Sequence, residues 1–194
     1  MTGTASVGAD ERLRLFLALR LPEPVLDVVE RWEQQSLQGV RPGIRVVPRE
    51  HLHITVAFLG HRPAGELRAV LGELRAAAAC APADLRLAPA RYRETRSVAM
   101  LALDDLGGGA TAFAADVQAR LERIGFYRRE GRPWLPHVTV ARFRERPGLR
   151  LEPPAMGTFV PSDAAAYLSR LRPGGAQYEV LESVDLKSAQ RIAQ

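Results

Sequence analysis

Along this 194-residue chain, apolar positions alternate with polar or small ones in some short stretches and recur at helical spacing in others. "RLRLFLALRL" (Arg12–Leu21) alternates and predicts a strand. Pro22 and Pro24 then open a helical segment with Val25, Leu26, Val28, Val29 and Trp32 on its apolar side. "GIRVVPREHLHITVAFLG" predicts two short strands, or one broken by Pro48. Residues Ala64–Cys80 form an amphipathic helix pattern with Leu67, Val70, Leu71 and Leu74 on one side. "ADLRLAPARY" and "SVAMLALDD" predict a strand pair around "RETR". A glycine loop, a helix and Gly125 as its C-cap follow in "GGGATAFAADVQARLERIG". "PWLPHVTVARFRER" predicts another strand, and Leu149–Pro154 a proline-rich connection. "AAAYLSRLRP" and "AQYEVLESVDL" then suggest a closing hairpin around "GG". The order β-α-β-β-α-β-β-α-β-β-β predicts an α+β domain with largely antiparallel sheets flanked by helices. Residues 1–10 are expected to form a disordered tail, 11–187 a single two-lobed domain, and 188–194 a C-terminal tail that frays from Lys187 onward.

Composition narrows the class. The chain is 46% hydrophobic, enough for a sizeable core, yet no apolar run reaches about 18 residues, so no membrane span is expected. The first residues lack the charged and apolar regions of a signal peptide, and a cytoplasmic monomer is expected. Cys80 is the only cysteine, which excludes an intramolecular disulfide and a thiolate metal cluster; a buried structural thiol is expected there. Net charge is +5, and Lys187 is the only lysine among the cationic residues. Arginine pairs with phosphate through two parallel hydrogen bonds, which favours a nucleic-acid or phosphate partner. A coding bias that enriches alanine and arginine together explains the charge equally well.

Histidine changes this picture. His53-Ile54-Thr55-Val56 and His137-Val138-Thr139-Val140 share one pattern, 84 residues apart. With 4 histidines and 7 threonines, chance supplies only about 0.14 H-x-T triplets in a chain of this length. Both copies fall in predicted strands, where residues i and i+2 share a face. Each strand therefore presents an imidazole and a hydroxyl side by side, while Ile54 or Val138 faces the packing side. Two such strands, one per lobe, would bring two imidazoles and two hydroxyls to one groove in a pseudo-twofold domain. One imidazole can accept a proton and the other donate one near neutral pH. The hydroxyl beside each imidazole can donate or accept a hydrogen bond there. This scheme needs no metal and no cofactor.

The paired motifs, with "RLFLALRLP", "HLHITVAFLG", "LPHVTVARF" and "YLSRLRPGGAQYEVL" around them, resemble the 2H phosphoesterases. The nearest resemblance is to the RNA 2′,3′-cyclic phosphodiesterase branch, also called LigT-like or ThpR. It implies metal-independent hydrolysis of RNA 2′,3′-cyclic phosphodiester ends to a 2′-phosphomonoester. It further implies that His53 is the proton donor and His137 the proton acceptor, with Thr55 and Thr139 on the phosphate. Arg142 matches a basic position of the family and is implied as a phosphate contact. Strict alternation, however, puts Arg142 on the face opposite His137, so a bulge or the strand's end must redirect it. The late hairpin implies a groove role for Ser169.

Other residues have two readings each. Tyr127, Arg132 and Trp134 in "YRREGRPW" are candidate groove residues for single-stranded RNA, or a solvated loop with a packed tryptophan. "RYRETR" has the same ambiguity. Gly107–Gly109 suit a phosphate nest or, more simply, a turn. Asp104 and Asp105 suit a turn and helix N-cap better than a metal site. His51 is expected on the rim of the strand's entry and His61 in a loop. Three functions stay open beside hydrolysis of RNA ends: 2′-5′ RNA ligase-type joining, opening of small cyclic nucleotides, and non-catalytic binding of RNA ends.

Overall fold

The computed structural model describes residues 11–172 and 175–186; the tails expected at both ends, and Pro173 and Gly174 within the expected closing hairpin, lie outside the described residues. The elements are β1 (Arg12–Arg20), α1 (Glu23–Ser36), β2 (Arg45–Val46), β3 (His53–Pro63), α2 (Leu67–Ala79), β4 (Leu87–Glu94), β5 (Val98–Asp105), α3 (Gly109–Arg123), β6 (His137–Arg142), β7 (Ala164–Arg172) and β8 (Gly175–Val184). Their order is the one the periodicities predict. All strand pairings among the described residues are antiparallel, in the order β4-β5-β6-β3-β1-β7-β8, with β2 added on β6.

The two lobes are thus wings of one sheet, joined where β3 meets β6. The register pair at that junction is Ile54 with Val138, the middle residues of the two H-x-T motifs. Side chains on β1 sort cleanly by alternation. Leu13, Leu15, Leu17 and Leu19 enter the main core under α2 and α3, while Phe16 and Ala18 form a small second cluster with Ala165 and Tyr167 on the other face.

Two strands depart from alternation in the same way. The β1–β3 register passes from Leu17–Ala57 to Ala18–Thr55, which leaves Val56 as an extra residue. The β5–β6 register passes from Ala99–Ala141 to Met100–Thr139, which leaves Val140 extra. Val56 and Val140 each stand three residues after their histidine. Each is a β-bulge that bends its strand and resets which face the next residues take.

Several local expectations are corrected. Cys80 is exposed rather than buried: α2 turns Val70, Leu74, Ala77 and Ala78 inward, and the cysteine at its C-cap falls on the solvent side. His51 does stand at the entry to β3, in a single 3-10 turn, Arg49–His51, and is half-buried. β3 continues through His61, which is an exposed strand residue and not a loop residue. The three glycines at the start of α3 have steric reasons: a β-carbon at Gly107 or Gly109 would collide with Asp84, and Gly108 turns the chain with a left-handed φ of 71°. Asp105 caps α3, accepting from the Thr111 N–H at 2.7 Å.

Candidate active site

A cavity of about 1200 Å³ opens over the junction of the two wings. His53, Thr55, Thr139 and Arg142 line it. An antiparallel register centred on Ile54 and Val138 sets His53 across from Thr139 and His137 across from Thr55. The H-x-T motifs therefore meet around a local twofold axis.

Both imidazoles are held in the same way. His53 Nδ1 lies 2.7 Å from the His51 carbonyl oxygen, and His137 Nδ1 lies 2.9 Å from that of Leu135. A carbonyl oxygen only accepts, so each Nδ1 carries the proton and each Nε2 is left for other chemistry. His53 Nε2 lies 3.0 Å from Thr55 Oγ1. In the neutral ring that nitrogen accepts the threonine's hydrogen bond.

The surroundings of His53 are aromatic. Its ring centroid lies 4.9 Å from Phe16, 5.5 Å from Tyr178 and 5.8 Å from Tyr167. Burial among these rings disfavours the charged imidazolium and lowers the His53 pKa to about 4. Positive charge on His137, His51 and Arg142 pushes the same way, while the hydrogen bond to the His51 carbonyl opposes it. His137 thus lies within electrostatic range of His53, although it stands beside the cavity and not among its lining residues.

The bulges decide what lies five residues beyond each histidine. Both strands show two buried residues in a row, Val56–Ala57 and Val140–Ala141, followed by an exposed one. That exposed residue, Phe58 in β3 and Arg142 in β6, returns to the cavity face. Arg142 consequently shares the cavity with Thr139, through the bulge that strict alternation required. The pseudo-symmetry is broken chemically, with an aromatic ring in one wing and a cation in the other.

The bulge in β3 leaves carbonyls off the ladder, and side chains take them. Trp134 Nε1 donates to the Thr55 carbonyl at 2.9 Å, and Gln118 Nε2 to the Val56 carbonyl at 2.8 Å. Trp134 therefore supports the site from behind and does not line the cavity. Tyr127 is half-buried against the core, and Arg132 is exposed and paired with Glu130 at 2.7 Å; neither lines the cavity. Ser169 is buried and also off the cavity surface, but its hydroxyl accepts from Arg14 Nη1 at 2.6 Å. "RYRETR" is a structural pin: Glu94 accepts from the Tyr92 hydroxyl and from the N–H groups of Gly148 and Leu149.

Sequence reading missed Arg14, Phe58, Tyr178 and the inward part of His51. Arg14 lines the cavity with its guanidinium 4.6 Å from the Phe58 ring centroid. Its signal was present, because the alternation of "RLRLFLALR" puts Arg14 and Phe16 opposite the leucines. His51 Nε2 accepts weakly from the Tyr178 N–H at 3.4 Å, and the two rings lie 4.5 Å apart. Among the described residues, no three His, Cys, Asp or Glu side chains gather as metal ligands would. No described helix is long and apolar enough to cross a membrane.

A curled antiparallel sheet in two wings, with one H-x-T strand from each, defines a class of protein. Residues 21–173 match the 2′-5′ RNA ligase superfamily, and the chain belongs to it. It is 33% identical over 186 residues to an RNA 2′,3′-cyclic phosphodiesterase of Thermus thermophilus, covering 90% of this chain and 91% of that one. It is 24% identical over 186 residues to the protein of the same name from Methanocaldococcus jannaschii, covering 88% of this chain and 99% of the other. Among solved structures, Escherichia coli LigT complexed with 3′-AMP has the same fold, with a TM-score of 0.74 at 22% identity, over 91% of this chain and 99% of that one.

Proposed function

We propose that this protein hydrolyses RNA 2′,3′-cyclic phosphodiester ends to a 2′-phosphomonoester by acid–base catalysis between His53 and His137, without a metal. The observation that carries this reading is the pairing of two imidazoles, each fixed with Nδ1 on a backbone carbonyl, across one strand junction. Similarity to two proteins named RNA 2′,3′-cyclic phosphodiesterase supports it.

The broken symmetry supports a division of roles. The wall beside His53 carries Phe16, Phe58 and Tyr178, which suits a nucleoside; the His137 wing carries Thr139 and Arg142, which suit a phosphoryl group. With the ribose on the aromatic side, its departing 3′-oxygen lies next to His53 and the attacking water next to His137. His137 takes the water's proton as the new phosphorus–oxygen bond forms. The bond to the 3′-oxygen breaks, and His53 supplies the proton that this oxygen needs. Thr55, Thr139 and Arg142 donate to the non-bridging oxygens, where preorganised donors act most strongly.

The test is turnover, in EDTA, of a 5′-labelled oligonucleotide ending in a 2′,3′-cyclic phosphate. A 2′-phosphate product is expected. His53→Ala and His137→Ala should each lose about 10²-fold or more in kcat, the contribution typical of a positioned acid or base, while substrate binding changes little. Activity that EDTA abolishes and a divalent cation restores would refute the metal-free scheme. A product joined to a 5′-hydroxyl acceptor would assign ligation instead, and tight binding without turnover would assign an RNA-end binding module.

A further inference from the structure

The cavity holds more positive charge than the proposed chemistry uses. Arg14, Arg45, Arg142, Arg170 and Arg172 line it, against Glu50 and Glu179. Arg170 is paired with Glu179 at 3.5 Å, and Arg14 is bonded to Ser169. Among the described residues, neither Arg45 nor Arg172 has a carboxylate partner. A cyclic phosphodiester carries one negative charge, and Arg142 with the two threonines suffices for it.

Arg45 and Arg172 reach the same cavity from distant parts of the chain. Arg45 stands on β2 directly opposite Arg142 on β6, where two like charges repel unless an anion separates them. Its guanidinium lies 3.7 Å from where a β-carbon on Gly175 would stand, and Gly175 is the register partner of Arg172 at the end of the β7–β8 hairpin. The cavity of about 1200 Å³ also exceeds the roughly 300–1,000 Å³ usual for one small ligand.

We infer that Arg45 and Arg172 form a second anion subsite that holds the next phosphodiester of an RNA chain, on the 5′ side of the cyclic end. The chain leaves the site between β2 and the β7–β8 hairpin. The subsite makes the protein distinguish a polynucleotide end from a cyclic mononucleotide by charge, without reading sequence. This rests on the cyclic-phosphate reading for the identity of the substrate, but its residues are separate from the acid–base pair.

The experiment compares a 2′,3′-cyclic mononucleotide with a short oligonucleotide carrying the same end, for wild type, Arg45→Ala, Arg172→Ala and the double variant. The ratio of oligonucleotide to mononucleotide kcat/KM should fall about tenfold or more in the double variant, and Arg45→Lys should recover part of it. Anisotropy with an oligonucleotide bearing a terminal 2′-phosphate reads the subsite without turnover. Its log–log salt slope should drop by about 0.7 for each phosphate of the single strand that a variant no longer neutralises. An unchanged ratio, or equal losses on both substrates, would overturn the subsite. If wild type opens neither substrate yet binding of the oligonucleotide depends on Arg45 and Arg172, the cyclic-phosphate reading fails and the subsite stands.

Discussion

His53 should change its protonation when an anion enters the cleft, and the structure sets the size of the effect. Its pKa is lowered from 6.5 to about 4 by burial against the aromatic wall, with neighbouring positive charges adding to the shift. A drop of that size disfavours the imidazolium by about 3 kcal/mol and leaves roughly one ring in a thousand charged at pH 7. An oxyanion about 4 Å away would favour it by about 4 kcal/mol per unit charge at an effective dielectric constant near 20. The two effects are comparable, so an anion in the cleft should load a proton onto His53, as the proposed donor role requires. Sulfate is a suitable probe because it stays dianionic throughout the range. Nuclear magnetic resonance titration of labelled histidine, with His53 assigned through its Ala variant, should find it titrating near pH 4 alone and two or more units higher with sulfate. Between those two pKa values binding takes up a proton, so sulfate affinity should weaken as pH rises, by up to tenfold per unit. Stability carries the matching sign. A lowered folded-state pKa means that stability is whole above pH 6.5 and lost as pH falls toward 4, by about 3 kcal/mol in the empty protein. A His53 that titrates at 6.5 in the empty cleft, or a sulfate affinity that does not vary with pH, would refute this reasoning.

Three further outcomes are expected. Ser169→Ala removes the acceptor that holds Arg14 over Phe58, so KM for a nucleotide substrate should rise about three- to tenfold with a smaller change in kcat; steady-state kinetics check this, and an unchanged KM rejects a role for Arg14 at the site. Trp134→Phe strips the hydrogen bond from the Thr55 carbonyl, which should lower stability by about 1 kcal/mol in urea unfolding and reduce kcat several-fold. Glu33 is buried on α1 with its pKa raised to about 9 by burial and by the charge of Glu30, and one carboxyl oxygen has no partner among the described residues. The folded state therefore keeps a proton that the unfolded chain loses, and stability declines as pH rises from 4.5 toward 9. Glu33→Gln cannot ionise, so its advantage over wild type should grow between pH 5 and pH 8, by at most roughly 4 kcal/mol; urea unfolding giving the same difference at both pH values would reject the burial argument.

The sequence by itself determined the features whose cause is local. Alternation marked β1 and both H-x-T strands, helical spacing marked the three helices, and the repeated His-x-Thr placed an imidazole and a hydroxyl on one face of each strand. Those patterns follow from backbone period alone, and so they survive without knowledge of the partner strands. Tertiary structure decided the rest. Val56 and Val140 carry no mark that distinguishes a bulged valine from a paired one, yet they turn Phe58 and Arg142 into the cavity. Arg14 meets Ser169, and Arg45 meets Gly175, only because β1 pairs with β7 and the β7–β8 hairpin folds back toward β2. Glu33 continues the buried i, i+4 stripe of Val25 and Val29, against the polarity of its own side chain. Trp134, in a loop that reads as an RNA contact, instead caps a carbonyl that the β3 bulge leaves off the ladder. Register, bulges and cross-strand neighbours are relations between segments, and a single segment's composition does not encode them.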